Sequence, residues 1–330
     1  MIAAFIDHVG PPEVIRVDQL PQPSVGPHQV LVRTEYAAVN PIDCYLRSGM
    51  VAMPIPSPFI PGCDVAGTVV AMGSQVRGFQ VGDRVWSTNQ GLLGRQGTMA
   101  EFCVVDESMT FHIPPNVSAR DAAACGLVGA TAWLGLFAKG CLQPGEIVFV
   151  RGGTGGVGSM VVQMAKAHGA RVIASAGTET KVQQCLKLGA DFAVNYREAD
   201  WPDLVQRFAP DGVNLFWDTT RQPDFELAVS LMAENARMIL MAGREARPPF
   251  PVGPFYVKQL SLLGVVVFKS STDELAQAAL AINQWLARGL IRSPIAMELP
   301  LQEAASAHRI QEEFTVYGRG ELQGKIVIRL

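Results

Sequence analysis

The run Glu146-Ile147-Val148-Phe149-Val150-Arg151-Gly152-Gly153-Thr154-Gly155-Gly156-Val157-Gly158 decides the fold. Its apolar stretch from Ile147 to Val150 ends in glycines and reads as a buried strand. Met160 to His168 reads as a helix, with Gly169 as its C-cap. Gly153, Gly155 and Gly158 fit GxGxxG, and Gly152, Gly155 and Gly158 fit GxxGxxG. The pattern alone is weak, but here a strand precedes it and a helix follows it. Glycine removes the Cβ that would block a pyrophosphate, and the free N–H groups at the helix start bind the anion. Thr154, Gly156 and Val157 complete this candidate dinucleotide loop.

Further along the chain, Arg171 to Ser175, Phe192 to Val194, Val213 to Asp218 and Arg237 to Gly243 read as more strands. Lys181 to Leu188 is helical and stopped by Gly189, and helical segments lie between the later strands. This alternation predicts an α/β fold with a doubly wound Rossmann parallel sheet. A helix is predicted from Asp121 to Phe137 and another from Thr272 to Arg288. Before residue 115 the chain is dense in Pro and Gly, and its apolar runs are short: Val30 to Val32, Val65 to Met72, Arg84 to Trp86 and Ala100 to Val105. That pattern predicts a second, mostly β domain. The last strand, Gly324 to Leu330, is placed back in that domain. The predicted division is 1–121 with 266–330, and 122–265.

The end of the second strand bears on the cofactor. An NAD site usually has Asp or Glu there to hold the ribose hydroxyls. Here the stretch is Ala174-Ser175-Ala176-Gly177. Glu179 falls about 20 residues past Gly158, the usual count. It follows Gly177-Thr178, however, where it is more simply a first-turn charge with Thr178 as cap. Ser175, Lys181 and the helix amides are candidates to hold a 2′-phosphate, with Tyr196 closing over that side. The expected cofactor is therefore NADPH.

A chain of 330 residues exceeds one ordinary core, which agrees with two domains. The balance of 48% apolar and 17% charged residues suits a folded protein with a large buried core and argues against disorder. A net charge of −3 with dispersed Lys and Arg leaves no basic stripe for nucleic acid. None of the six cysteines forms CxxC, so no zinc knuckle or redox pair is expected, and scattered thiols suggest the cytoplasm. The start Met1-Ile2-Ala3-Ala4-Phe5-Ile6-Asp7 lacks the pattern of a signal peptide. Ala122 to Ala138 is uncharged, but shorter than the roughly 20 residues a membrane span needs, and is read as a buried helix.

Several motifs together carry a family resemblance. They are Ala38-Val39-Asn40-Pro41-Ile42-Asp43, Leu46-Arg47-Ser48-Gly49, Pro61-Gly62-Cys63-Asp64-Val65-Ala66-Gly67-Thr68-Val69 and Val81-Gly82-Asp83-Arg84-Val85. Gly129-Ala130-Thr131-Ala132-Trp133, the glycine loop, Leu188-Gly189-Ala190-Asp191 and Asn195-Tyr196-Arg197 follow. The chain resembles the medium-chain dehydrogenase/reductases, and among them the ζ-crystallin-type quinone oxidoreductases. The resemblance implies a GroES-like barrel domain beside the Rossmann domain, with an active cleft between them, and usually a homodimer. The apolar run Leu262 to Phe268 is a candidate strand for pairing across that dimer. The implied activity is hydride transfer from NADPH to a quinone or similar conjugated carbonyl. A 2-alkenal or enoyl reductase is the alternative. A regulatory, structural or RNA-binding protein that has lost turnover is the alternative of another class.

The resemblance places Asn40, Tyr45 and Thr131 by the nicotinamide, and Lys181 and Tyr196 by the 2′-phosphate. It places Thr219, Gly243 and Phe268 along the cofactor, with Arg244 next to Gly243. Zinc-dependent relatives carry Cys, His and Cys where this chain has Asn40, Cys63 and Leu127, so no metal is expected. Two stretches depart from the family: Met50-Val51-Ala52-Met53, where some relatives carry a pocket tyrosine, and Arg244, where small polar residues are usual.

Overall fold

The computed structural model describes residues 1–330. They divide into two compact units, Met1–Leu127 with Phe268–Ala287 and Arg292–Leu330, and Val128–Val267 with Arg288–Ile291.

The chain opens with β1 (Ile2–Phe5) and β2 (Arg16–Gln19), an antiparallel pair. Then come β3 (Gln29–Val39), α1 (Pro41–Ser48), β4 (Asp64–Met72), β5 (Arg84–Ser87), β6 (Phe102–Asp106) and β7 (Thr110–His112). The strand β3 is far longer than the run Val30 to Val32 suggested. Polar Arg33-Thr34-Glu35 interrupts its apolar pattern, and the register against β4 shifts between Leu31 and Val32 and between Thr34 and Tyr36. These irregularities bend the strand and hide its period-two signal. The next element, α2 (Ala119–Trp133), runs on as a π-helical turn, Leu134–Lys139. By length and composition Ala119–Lys139 passes for a membrane span, but 78% of its apolar window is buried inside the protein, as in a core helix.

The second unit alternates strictly: β8 (Ile147–Arg151), α3 (Gly156–His168), β9 (Arg171–Ala176), α4 (Glu179–Lys187), β10 (Phe192–Asn195), α5 (Trp201–Phe208), β11 (Val213–Asp218), α6 (Phe225–Leu231), β12 (Met232–Leu240), α7 (Val252–Val257) and β13 (Ser261–Gly264). The six strands are parallel in the order β10-β9-β8-β11-β12-β13. Winding therefore reverses between β8 and β11, the switch point at which such sheets bind ligands. Val148, Phe149 and Val150 are fully buried, because helices cover both faces of a parallel sheet. Phe149 stacks on Trp201 at 5.7 Å between ring centroids and meets Phe216 at 4.8 Å.

The chain returns to the first unit with α8 (Thr272–Ala287), β14 (Ile295–Pro300), α9 (Ala304–Thr315) and β15 (Lys325–Arg329). The last strand runs between β14 and β3, so the chain's end joins β14 to the larger sheet of the first unit. No expectation covered β14 or α9. The inner face of α9 buries His308, Gln311 and Glu312, which erases the apolar stripe that marks a helix.

Packing at the π-helical turn yields a test. A Cβ on Gly135 would lie 2.1 Å from the ring of Trp217, which is fully buried. Gly135→Ala is expected to destabilise the protein by about 1–3 kcal/mol, the usual cost of overpacking, read as a lower urea midpoint. An unchanged midpoint would show that the ring can move aside.

Candidate functional site

In the second unit the glycine loop links β8 to α3. A Cβ on Gly158 would sit 2.1 Å from the carbonyl oxygen of Gly152, and one on Gly153 2.8 Å from Ala174 Cβ. Gly152 takes φ +83°, and its Cβ would meet the Thr219 hydroxyl at 2.4 Å. These three glycines are demanded by the protein's own packing. Gly155 is different: it is exposed, and the nearest atom to its Cβ, Gly152 O, is 3.5 Å away. It is the N-cap of α3 and offers no side chain, and the first turn of α3 holds no acid. The leading N–H groups of α3 thus meet open space at the positive end of the helix.

Thr219 anchors the loop from beneath, its hydroxyl donating to Arg151 O at 2.6 Å. Beside it, buried Asp218 pairs with Arg151 at 3.2 Å and accepts from the Thr220 N–H at 2.7 Å. The N–H groups of Gly152 and Gly153 both donate to Ser175 O, which ties the loop to the end of β9. Ser175 is buried and its hydroxyl has no partner within the protein. Gly177 lies under Tyr196, whose hydroxyl would be 2.4 Å from a Cβ there. Thr178 caps α4 by accepting from the Lys181 N–H, and Glu179 is the first, exposed residue of that helix. Ser175, Gly177, Lys181 and Tyr196 therefore gather at one corner of the sheet. Gly243, at φ +86°, packs on the Arg221 carbonyl, and Arg244 is exposed with Glu245 at 3.3 Å. Thr131 is buried in α2 and belongs to this unit.

The first unit holds Asn40, Tyr45 and Phe268. Phe268 is half-buried in a short 3-10 turn, Val267–Lys269. Tyr45 is a half-buried residue of α1, and its carbonyl accepts from the Val51 N–H. Asn40, 0% exposed, is the N-cap of α1, and its amide is held wholly by the protein. Its Nδ2 donates to Asp64 Oδ2 at 2.8 Å, and its Oδ1 accepts from the ammonium of Lys325. Asp64 also accepts from the Thr88 hydroxyl at 2.6 Å and from the Leu127 N–H at 2.8 Å. Asp43 accepts from the Asn40 N–H at 2.8 Å. Burial pushes Asp43 up to about 7, against the pull of the Cys63 thiol and the Asn40 N–H. Burial also raises Asp64 and lowers Lys325, while their mutual attraction opposes both shifts.

Residues 26–115 match the alcohol dehydrogenase GroES-like domain family, and residues 156–283 match the zinc-binding dehydrogenase family. The chain is 31% identical to a quinone oxidoreductase of Sus scrofa, over all of this chain and 98% of that one. The chain belongs to the quinone oxidoreductase family of the medium-chain dehydrogenase/reductases. A second relative, a 2-methylene-furan-3-one reductase of Solanum lycopersicum, is 32% identical over 93% of this chain and 73% of its own. Among solved structures, an NAD-dependent alcohol dehydrogenase superposes with a TM-score of 0.90 at 32% identity. Escherichia coli quinone oxidoreductase in complex with NADPH superposes with a TM-score of 0.86 at 26% identity. Both comparisons cover this chain and the other in full. As a member of this family the protein is an oxidoreductase.

Of the positions compared with a zinc set in the family, Asn40 is engaged by Lys325 and Asp64, and Leu127 contributes only its N–H, to Asp64. The thiol of Cys63 is held well above its ordinary range by burial and by Asp43 beside it. Asp43 and Asp64 stood in the sequence reading only as members of motifs, with no role in the site, and Thr88 and Lys325 were not singled out. The one available signal was a lysine opening an apolar strand, Gly324-Lys325-Ile326-Val327-Ile328.

Two buried groups oppose one another with pH. An unfolded Asp ionises near 3.8, whereas folded Asp43 keeps its proton to about 7, so its contribution to stability falls as pH rises between these values. An unfolded His takes up a proton near 6.5, whereas buried His308 stays neutral to about 3, so its contribution falls as pH drops through that window. Asp43→Asn removes the first effect alone. Relative to the unsubstituted protein, its stability in urea is expected to improve steadily from pH 4 to pH 7. A constant difference across that window would refute the assignment.

Proposed function

We propose that the protein is an NADPH-dependent quinone oxidoreductase that works without zinc. The observation that carries this reading is the corner at the end of β9: no acid stands there, and buried Ser175 has an unpartnered hydroxyl. That corner suits a 2′-phosphate and offers no carboxylate to hold a bare ribose diol. In the proposed site the leading N–H groups of α3, those of Gly156, Val157 and Gly158, bind the diphosphate, while Gly153 and Gly155, whose own N–H groups are held by Ser175 O and Gly152 O, leave it room. Gly152 and Thr154 shape the loop. Ser175, Gly177, Lys181 and Tyr196 hold the 2′-phosphate side, while Thr219, Gly243, Arg244 and Phe268 line the remainder. Bound NADPH would supply a hydride to an electron-poor ring or enone. Reduction leaves negative charge on the conjugated oxygen, which the Tyr45 hydroxyl is proposed to stabilise as a donor, while Thr131 shapes the nicotinamide side. One such donor contributes about 3 kcal/mol. Because the Asn40 amide is committed to Asp64 and Lys325, its proposed part is to fix the start of α1 and so the place of Tyr45.

The likeness to 2-methylene-furan-3-one reductase favours a second reading, reduction of an enone or enal at the same site. Initial rates of NADPH oxidation with a benzoquinone and with a 2-alkenal separate the two. Tyr45→Phe is expected to lower kcat for the preferred acceptor about a hundredfold. An unchanged kcat with both acceptors removes Tyr45 from the reaction.

Calorimetric titration should show NADPH binding about tenfold or more tighter than NADH, with the gap narrowed in Lys181→Ala. Gly155→Ala should leave the melting temperature unaltered and abolish tight NADPH binding, because the added Cβ meets no protein atom within 3.4 Å. Equal affinity for both nucleotides would overturn the NADPH assignment.

We further propose a cytoplasmic homodimer. All six cysteines are unpaired, as a reducing compartment requires. The edge strand β13 pairs only with β12, and Leu262, Val266, Val252, Tyr256 and Val257 expose apolar surface in its neighbourhood of the chain. Light scattering should give twice the chain mass for the protein and a monomer for Leu262→Arg. A monomeric unsubstituted protein would refute the dimer.

A further inference from the structure

Lys325 is the only lysine among the buried residues. It opens β15, and the turn that delivers it is specific. Gly324 takes φ +123°, and a Cβ there would lie 2.4 Å from Pro294 O. That carbonyl accepts from the Lys325 N–H at 2.7 Å, so the chain is held where the side chain must turn inward. Inside, Nζ donates to Val39 O at 2.8 Å and to Asn40 Oδ1, with Asp64 Oδ2 at 3.9 Å. Asp43, Cys63 and Cys125 are the other titratable groups that bear on it.

We propose that Lys325 is a positioning residue for the reaction: its ammonium is a built-in cation that holds the Asn40 amide in one orientation and anchors the start of α1. The orientation follows from charge. An ammonium has donors only, so it must face the amide oxygen, which leaves Nδ2 for Asp64 Oδ2 and Ala38 O. A flipped amide would set NH2 against NH3+ and strip Asp64 of a donor. The ammonium also balances the cluster, since one buried carboxylate beside it makes a neutral pair. It bridges the end of β3 and the start of β4 through one group, and Asn40 passes that constraint to α1, which carries Tyr45. The link to Tyr45 chemistry rests on the function proposed above; the ammonium's hold on the fold does not.

Lys325→Met keeps length and bulk but loses the charge. Its affinity for NADPH should match that of the unsubstituted protein, because the proposed contacts to the diphosphate and the 2′-phosphate lie on the other unit. Its kcat with a benzoquinone should fall about tenfold or more, as misplaced groups do. Lys325→Ala removes the stem as well, and propylammonium at millimolar concentration should restore its melting temperature and part of kcat, whereas 1-propanol should not. If Lys325→Ala does not fold alone, refolding with propylammonium should recover soluble NADPH-binding protein, and refolding with 1-propanol should not. Unchanged kcat in Lys325→Met, or equal recovery with amine and alcohol, overturns the proposal. An unsubstituted protein that turns over neither acceptor defeats the function reading, yet leaves the amine's rescue of folding to be scored on its own.

Discussion

The tight return of α3 onto the end of β8 is the constraint from which the rest of the second unit follows. Gly158 lies so close to the Gly152 carbonyl that no side chain fits between them. Gly153 is pressed against Ala174 and Cys185 in the same way. Because the loop is pinned on its inner side, its outer side at Gly155 stays bare, and the helix presents unpaired N–H groups where the winding of the sheet reverses. Packing and anion binding thus call on different glycines. This is why the glycines of one loop are not redundant.

The first unit solves another problem. Its larger sheet takes the last strand of the chain between β14 and β3, and a cluster of charged and polar groups lies at the start of that strand. Burying them is costly unless each finds a partner. Asp64 collects an amide, a hydroxyl and a main-chain N–H, and Lys325 takes two oxygens. Breaking one member exposes the rest to uncompensated burial, so the cluster specifies an arrangement more than it stabilises one. A second buried set, with Arg47 paired to Glu312 at 2.5 Å and the Cys44 thiol near His308, secures α1 against α9. Both sets bear on the short helix that carries Tyr45.

The parallel sheet was legible because both its faces are buried: its strands carry continuous apolar runs, such as Ile147 to Val150 and Leu215 to Trp217, with turn residues soon after them. In the first unit, by contrast, β3 is bent by two register shifts, and α9 turns His308, Gln311 and Glu312 inward. Local pattern cannot anticipate a polar residue whose partner lies 285 positions away, as Lys325 does from Asn40. The glycine loop had a local signature because its geometry is set by neighbours in sequence.

By itself, the sequence determined the strand–loop–helix around Gly155, the alternation that builds a doubly wound sheet, and the lack of an acid at the end of β9. Each is a property of contiguous residues, governed by the missing Cβ of glycine and the period of apolar side chains. Only the tertiary structure decided that Asn40 is sealed from solvent, that Ser175 has a hydroxyl without a partner, and that a lysine from the last strand completes the cluster around Asp64. Those facts depend on which distant groups share a low-dielectric interior, where each donor must find an acceptor, and no stretch of chain contains both members of such a pair.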